Sequence, residues 1–162
     1  MTAIIEELEP TPNIKPLSIP TKLLPFFRGT VPLPPSQNHA TKPIAVQTKT
    51  GNYIGKTIAT TALNQFKKDA AWMLSDIKQN FYDWSVINAI RESKTKVPLA
   101  VEVRIYLPTM WKSDLDNREK HAVDAVFNKL QLNDRLVADT HMTKEVDASD
   151  PRVEIEVRCV VR

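Results

Sequence analysis

A chain of 162 residues with 42% hydrophobic and 25% charged content is long enough for one domain with a buried core and has an ordinary globular composition. Its single cysteine, Cys159, excludes an internal disulfide and a cysteine-based zinc site, and no run of 18 apolar residues offers a spanning helix. The formal net charge of +3 is unevenly spread: no acid occurs between Glu9 and Asp69, where eight cations fall, a pattern that suits either a polyanionic partner or a solvated lysine-rich surface.

The opening MTAIIEELEPTP lacks the basic region and long apolar stretch of a signal peptide, so a reducing, cytoplasmic setting is expected. Nine of the twelve prolines lie in the first 43 residues. Residues 1–24 therefore read as an extended, weakly ordered leader, and 25–162 as a single domain. A short strand is predicted over 26–31, broken by Pro32, Pro34 and Pro35, since proline has no ladder donor. Residues 44–56 read as a hairpin around Thr50-Gly51-Asn52. The spacing of Leu63, Phe66, Ala70, Met73, Leu74 and Ile77 predicts a helix over 58–80, with Trp72 in its core. Residues 81–96 read as a helix end followed by a loop.

LAVEVRIYLP, 99–108, alternates with a period of two and predicts a half-buried strand with Val101, Val103, Ile105 and Leu107 inward. A helix follows over 117–130, with Val123, Val126, Phe127 and Leu130 as its buried stripe. Strands at 136–145 and 152–161 close the chain, the second turning Val153, Ile155, Val157 and Cys159 to one face. The expected fold is α+β: a mixed β-sheet with two main helices packed on it.

One stretch carries chemistry: KSDLDNREKHAVDAVFNKLQLNDR, 112–135. Asp116 with Glu119 three residues on is a capping box, which explains both without any function. It leaves Asp114 beside Asp116 unexplained, and it says nothing of Lys120 and Asp124 on the same side of the helix. Clustered carboxylates are unfavourable until a divalent cation neutralises them, and hard oxygen ligands suit Mg²⁺ or Mn²⁺. Asp134 joins such a site if the helix brings the chain back to it. Hydrolysis of a phosphodiester would follow, with Lys120 as the cation beside the scissile phosphate. Competing motifs fail: Arg118 and Glu119 stand where a calcium loop beginning at Asp114 needs a ligand and a glycine, His39, His121 and His141 lack zinc-site spacing, and three glycines in all make no nucleotide cradle.

Asp114-Leu115-Asp116-Asn117, Lys120, Asp124-Ala125 and Asn133-Asp134 resemble the RusA-type Holliday junction resolvases. So do Pro34-Pro35-Ser36-Gln37-Asn38 after the first strand and Arg152–Val157 in the last. The stretch 129–134 lacks the glycine that the family usually carries before its last acidic position. The resemblance implies a homodimeric, magnesium- or manganese-dependent endonuclease that binds four-way DNA junctions and nicks them in pairs, as found in phages and prophages. It implies metal ligation by Asp114, Asp116 and Asp134 and a catalytic role for Lys120. Lys42, Lys49 and Lys56 near the hairpin are candidate phosphate contacts, and Trp111 is a candidate for stacking on DNA bases. A non-catalytic DNA-binding relative and a nuclease for other branched DNA are the alternative readings.

Overall fold

The structure is a computed structural model and describes residues 22–110 and 116–161. Seven strands and four helices follow in the order β1 (Lys22–Pro32), α1 (Gln37–Ala40), β2 (Thr41–Gln47), β3 (Tyr53–Ala59), α2 (Thr61–Met73), β4 (Phe81–Tyr82), α3 (Trp84–Glu92), β5 (Leu99–Leu107), α4 (Asp116–Leu130), β6 (Val137–Val146) and β7 (Arg152–Val161). Five strands form one sheet in the order β4-β1-β7-β5-β6, and β2 and β3 form a separate antiparallel ribbon. Among the described strands only β5 and β6 run parallel, from Leu99 opposite Val137 to Leu107 opposite Val146. Parallel neighbours need a crossover, and α4 supplies it.

The alternation read in the sequence is the burial observed. In β5 and β7 the odd-numbered side chains, Leu99 to Leu107 and Val153 to Cys159, sink into the core with Leu63, Phe66, Ile87, Val126 and Phe127 from the helices. The other sheet face is a charged surface of Arg28, Glu102, Arg104, Glu154, Glu156 and Arg158, which line an open hollow of about 620 Å³. Among the described residues no helix is long and apolar enough to cross a membrane.

Four expectations need correction. β1 is longer than 26–31 and begins at Lys22, within the stretch read as a leader, because Lys22 to Pro32 pair along β7. Pro25 is tolerated there at a register shift, where the short β4 does not reach. The helix expected over 58–80 stops at Met73, and a third main helix, α3, stands where a loop was expected. Asp83 starts α3 by accepting from the Ser85 and Val86 amides. Trp72 is 78% exposed rather than in the core, since it lies two residues past buried Ala70, some 200° round the helix. Ile77 is equally exposed, beyond the helix end.

Buried Asn80 holds this corner together. Its amide nitrogen donates to the Met73 and Asp76 carbonyls at 2.8 Å each, and its oxygen accepts from the Thr30 amide at 3.1 Å. Gly29 makes room for it: a Cβ there would fall 2.5 Å from the Phe27 ring and 2.7 Å from Asn80 Oδ1.

Candidate active site

The acidic stretch follows β5. The stripe Ala122, Val123, Val126, Phe127 and Leu130 ties α4 down on the sheet, so the helix runs back against the direction of β5. Its first turn is anchored by Arg118, whose guanidinium donates to the Pro34 carbonyl. Burial pulls that guanidinium below its ordinary range. The bond fixes the Pro34-Pro35-Ser36 turn beside the start of α4, and the Ser36 hydroxyl meets His39 Nδ1 there at 2.8 Å.

Lys120 is exposed, its Nζ 3.8 Å from Asp124 Oδ2, one turn further on. That surface pair is loose and cheap to break, so the ammonium is available to another anion. His121 Nε2 is buried with no hydrogen-bond partner among the described residues. Desolvation lowers its pKa below the ordinary 6.5, against the pull of Asp124, and Lys120 and Lys67 add to the fall. The imidazole beside Lys120 is therefore neutral near pH 7.

The far end of α4 closes as a Schellman turn: the Leu132 amide bonds the Phe127 carbonyl and the Gln131 amide the Asn128 carbonyl. Gln131 takes φ 51°, a left-handed conformation that glycine usually fills. This is where the expected glycine is missing from the sequence; the turn forms without it. Arg91 from α3 caps the Leu130 carbonyl through Nε at 2.9 Å and Nη2 at 2.5 Å. The Asn133 side chain then accepts from the Arg135 amide and starts a 3-10 turn over Asp134–Leu136. Asp134 is exposed at this end. Arg91, Lys94 and Lys96 line a hollow of about 290 Å³ next to it, together with Gln131 and Asn133.

Asp116 and Asp134 thus stand at opposite ends of one helix. Fifteen residues rising 1.5 Å each put on the order of 20 Å between them. The strand register agrees: Asp134 precedes Val137, which pairs with Leu99 at the start of β5, whereas Asp116 follows the end of β5. Mg²⁺ holds its oxygens at about 2.1 Å, so one ion cannot take both carboxylates from one chain. Asp114 and Trp111 lie outside the described residues, as does the side chain of Asp116. Among the described residues no three His, Cys, Asp or Glu side chains gather as an ion site. The donor types suit a hard divalent cation, but within one subunit the expected set does not fit one.

Lys42, Lys49 and Lys56 are all exposed on the β2–β3 ribbon. Ile44 lies opposite Lys56 and Lys42 opposite Ile58, so both strand lysines share a face with aliphatic side chains. The sequence reading missed two features here. Arg118 as an anchor had no signal beyond its place after Asp116-Asn117. Arg91, Lys94 and Lys96 were passed over because they lie in the segment read as loop.

Compared with known proteins, residues 32–158 match the model of the family described as Endodeoxyribonuclease RusA. The matched span takes in the Pro34-Pro35 turn, the whole of α4 and Asp134. A search of curated proteins finds no match.

Proposed function

The chain belongs to the RusA family of endodeoxyribonucleases, which resolve Holliday junctions with a divalent metal ion, and from that premise we propose how this member works: as a cytoplasmic homodimer using Mg²⁺, with Mn²⁺ as a substitute. The proposed ligands are the carboxylates of Asp114 and Asp116 from one chain and of Asp134 of the partner subunit, since a single chain holds Asp116 and Asp134 on the order of 20 Å apart. When bound, the metal supplies a water nucleophile and charge stabilisation at the leaving oxygen. The observation that carries the proposal is the family match across the full acidic block, from Asp114 to Asp134.

The chain's own residues divide the remaining work. Lys120, exposed and only loosely paired with Asp124, swings to the scissile phosphate and offsets the charge that builds there. Arg118 keeps the start of α4 in register with the Pro34–Ser36 turn, so that the helix start and the end of β5 aim at one place. Lys42, Lys49 and Lys56 hold DNA by its phosphates and set its position without reading sequence. Trp111 stacks on an unpaired base near the branch. Two opposed nicks need two active sites related by a twofold axis, which is the reason for the dimer.

The test is cleavage of a synthetic four-way junction in Mg²⁺ by wild type and by Asp116→Asn, Asp134→Asn and Lys120→Ala, with linear duplex as control. Each variant is expected to lose roughly 10²-fold or more in rate. Full activity in any of them removes that residue from the mechanism. A wild-type protein that binds the junction and cuts it with neither metal is a binding-only relative, and equal cutting of linear duplex overturns junction selectivity.

A further inference from the structure

We propose that the basic hollow beside α3 is a subsite for a backbone phosphate of bound DNA, with Lys94 and Lys96 as its cations. This rests on the reading of the chain as a junction endonuclease and adds a place where it grips a strand, apart from the β2–β3 ribbon.

The lining of the hollow carries the argument first. Arg91, Lys94 and Lys96 line it, beside the polar side chains of Ser93, Thr95 and Asn133, and among the described residues no carboxylate does. The charged sheet face is built differently: there Arg28, Arg104, Arg152 and Arg158 each bond a glutamate or an aspartate. Among the described residues neither Lys94 nor Lys96 has a carboxylate within ion-pair distance. Arg91 directs its donors to neutral oxygens, the Leu130 carbonyl and Asn88 Oδ1, so its charge is not cancelled. Three such cations around one concavity repel one another, and an anion with several acceptor oxygens relieves that repulsion.

The backbone argues for the same use. Lys94 and Lys96 stand on a fixed turn: Ser93 Oγ accepts from the Thr95 amide at 3.2 Å and donates to the Thr95 carbonyl at 2.9 Å. The Val160 amide then ties the Pro98 carbonyl to β7 at 3.0 Å. The link between α3 and β5 is thus closed on itself and anchored, and its two lysines are offered from set positions. Asn133 lines the hollow and is joined directly to Asp134, a Cα step of about 3.8 Å. A phosphate seated here therefore belongs to a strand that passes Asp134. Lys94, Thr95 and Lys96 are all exposed, so the hollow is a rim contact for one link of a long polyanion, which positions DNA without reading its sequence.

Methylphosphonates test the subsite, because each removes the charge of one chosen phosphate. They are walked singly along one strand of a four-way junction, through the branch, and binding by wild type and by K94A/K96A is measured in EDTA. Both lysines are exposed, so the variant is expected to melt with wild type. It is expected to bind the unmodified junction roughly tenfold more weakly. At one position a methylphosphonate is expected to weaken wild type to a similar extent and the variant hardly at all. K68A/K78A removes the same charge from other exposed positions and should keep the wild-type response there. Losses that simply multiply at every position overturn the subsite, as does unchanged affinity in K94A/K96A. Sodium phosphate replacing chloride at equal ionic strength separates two sources of the group. Calorimetric binding of inorganic phosphate to wild type but not to K94A/K96A, with equal junction affinity in both, means a small-anion site and also overturns the proposal. The measurement needs no metal, so it fails separately from the catalytic reading. A wild type that binds junctions without cutting them fails that reading alone, and the methylphosphonate comparison still decides this one.

Discussion

Lys120 and Gln131 sit near the two ends of α4 and make different demands on the chain. Lys120 is exposed and its ion pair with Asp124 is long, so its removal is expected to change stability by less than about 0.5 kcal/mol. Lys120→Ala should therefore melt with wild type while failing to cut, and a melting point that falls with activity would mean the lysine is structural. Gln131 is the reverse case. A side chain held at φ 51° costs about 1 kcal/mol relative to glycine. Gln131→Gly should raise the unfolding free energy by roughly 0.5–1 kcal/mol, less than the full strain because glycine also frees the unfolded chain. Urea titration measures this, and a loss of stability would show that Gln131 makes contacts worth more than the strain. The acidic block, Lys120 and the missing glycine were all legible in the sequence. Which end of the fold each aspartate occupies was not, because spacing along a chain does not say whether a crossover is parallel. Asn80 gave no warning either: a buried asparagine with three partners looks, in sequence, like any loop asparagine.

Elements with a long, regular period were read to within a few residues. α4, β5 and β7 each bury one face, and tertiary packing agrees with local pattern there. The failures came where apolar spacing ran on past a stop. Ile77 continues the helical rhythm after Met73, but Ser75 turns its hydroxyl back to the Ala71 carbonyl at 2.7 Å and Asn80 takes the carbonyls of Met73 and Asp76. Local polar bonds of this kind end a helix whatever the hydrophobic pattern says. The β2–β3 ribbon is a different case. It was foreseen as a hairpin, and Gly51 at φ 85° closes it, yet most of its residues are exposed and among the described residues it pairs with no other strand. Two strands alone are marginal in water, so DNA or a partner is expected to steady them. Replacing Lys42 and Lys56 by alanine should weaken binding to junctions of any sequence. The slope of log binding constant against log salt should also fall by about 1.8, or about 0.9 for each phosphate contact. An unchanged slope would take both lysines out of the interface.

At the scale of the molecule, the sheet has one face sealed by helices and the other laced with ion pairs, which makes acid the solvent change most able to open it. Arg104 and Arg158 both bond Glu102, at 2.6 and 2.5 Å, and Arg152 reaches Asp147 at 2.8 Å. The bond from Arg104 is the main reason the Glu102 carboxyl lies below its ordinary 4.5. Asp147 falls from 3.8 to about 2, chiefly through the Ser149 hydroxyl and then Arg152. A carboxylate with a depressed folded pKa stabilises above its unfolded pKa, and that contribution is lost as pH drops through the folded value. His121 works on a different window. Its folded pKa lies below 6.5, so the unfolded chain takes up the proton first, and stability begins to decline as pH falls below about 6.5. Unfolding free energy should therefore be level from pH 8 to 7, decline gently below that, and drop more steeply between about pH 4.5 and 2. His121→Gln should remove the first, shallow step and keep the second; Glu102→Gln should flatten the second and keep the first. Urea midpoints across pH decide the matter: a single transition unaffected by either substitution would mean that neither the buried imidazole nor the charged face governs acid unfolding.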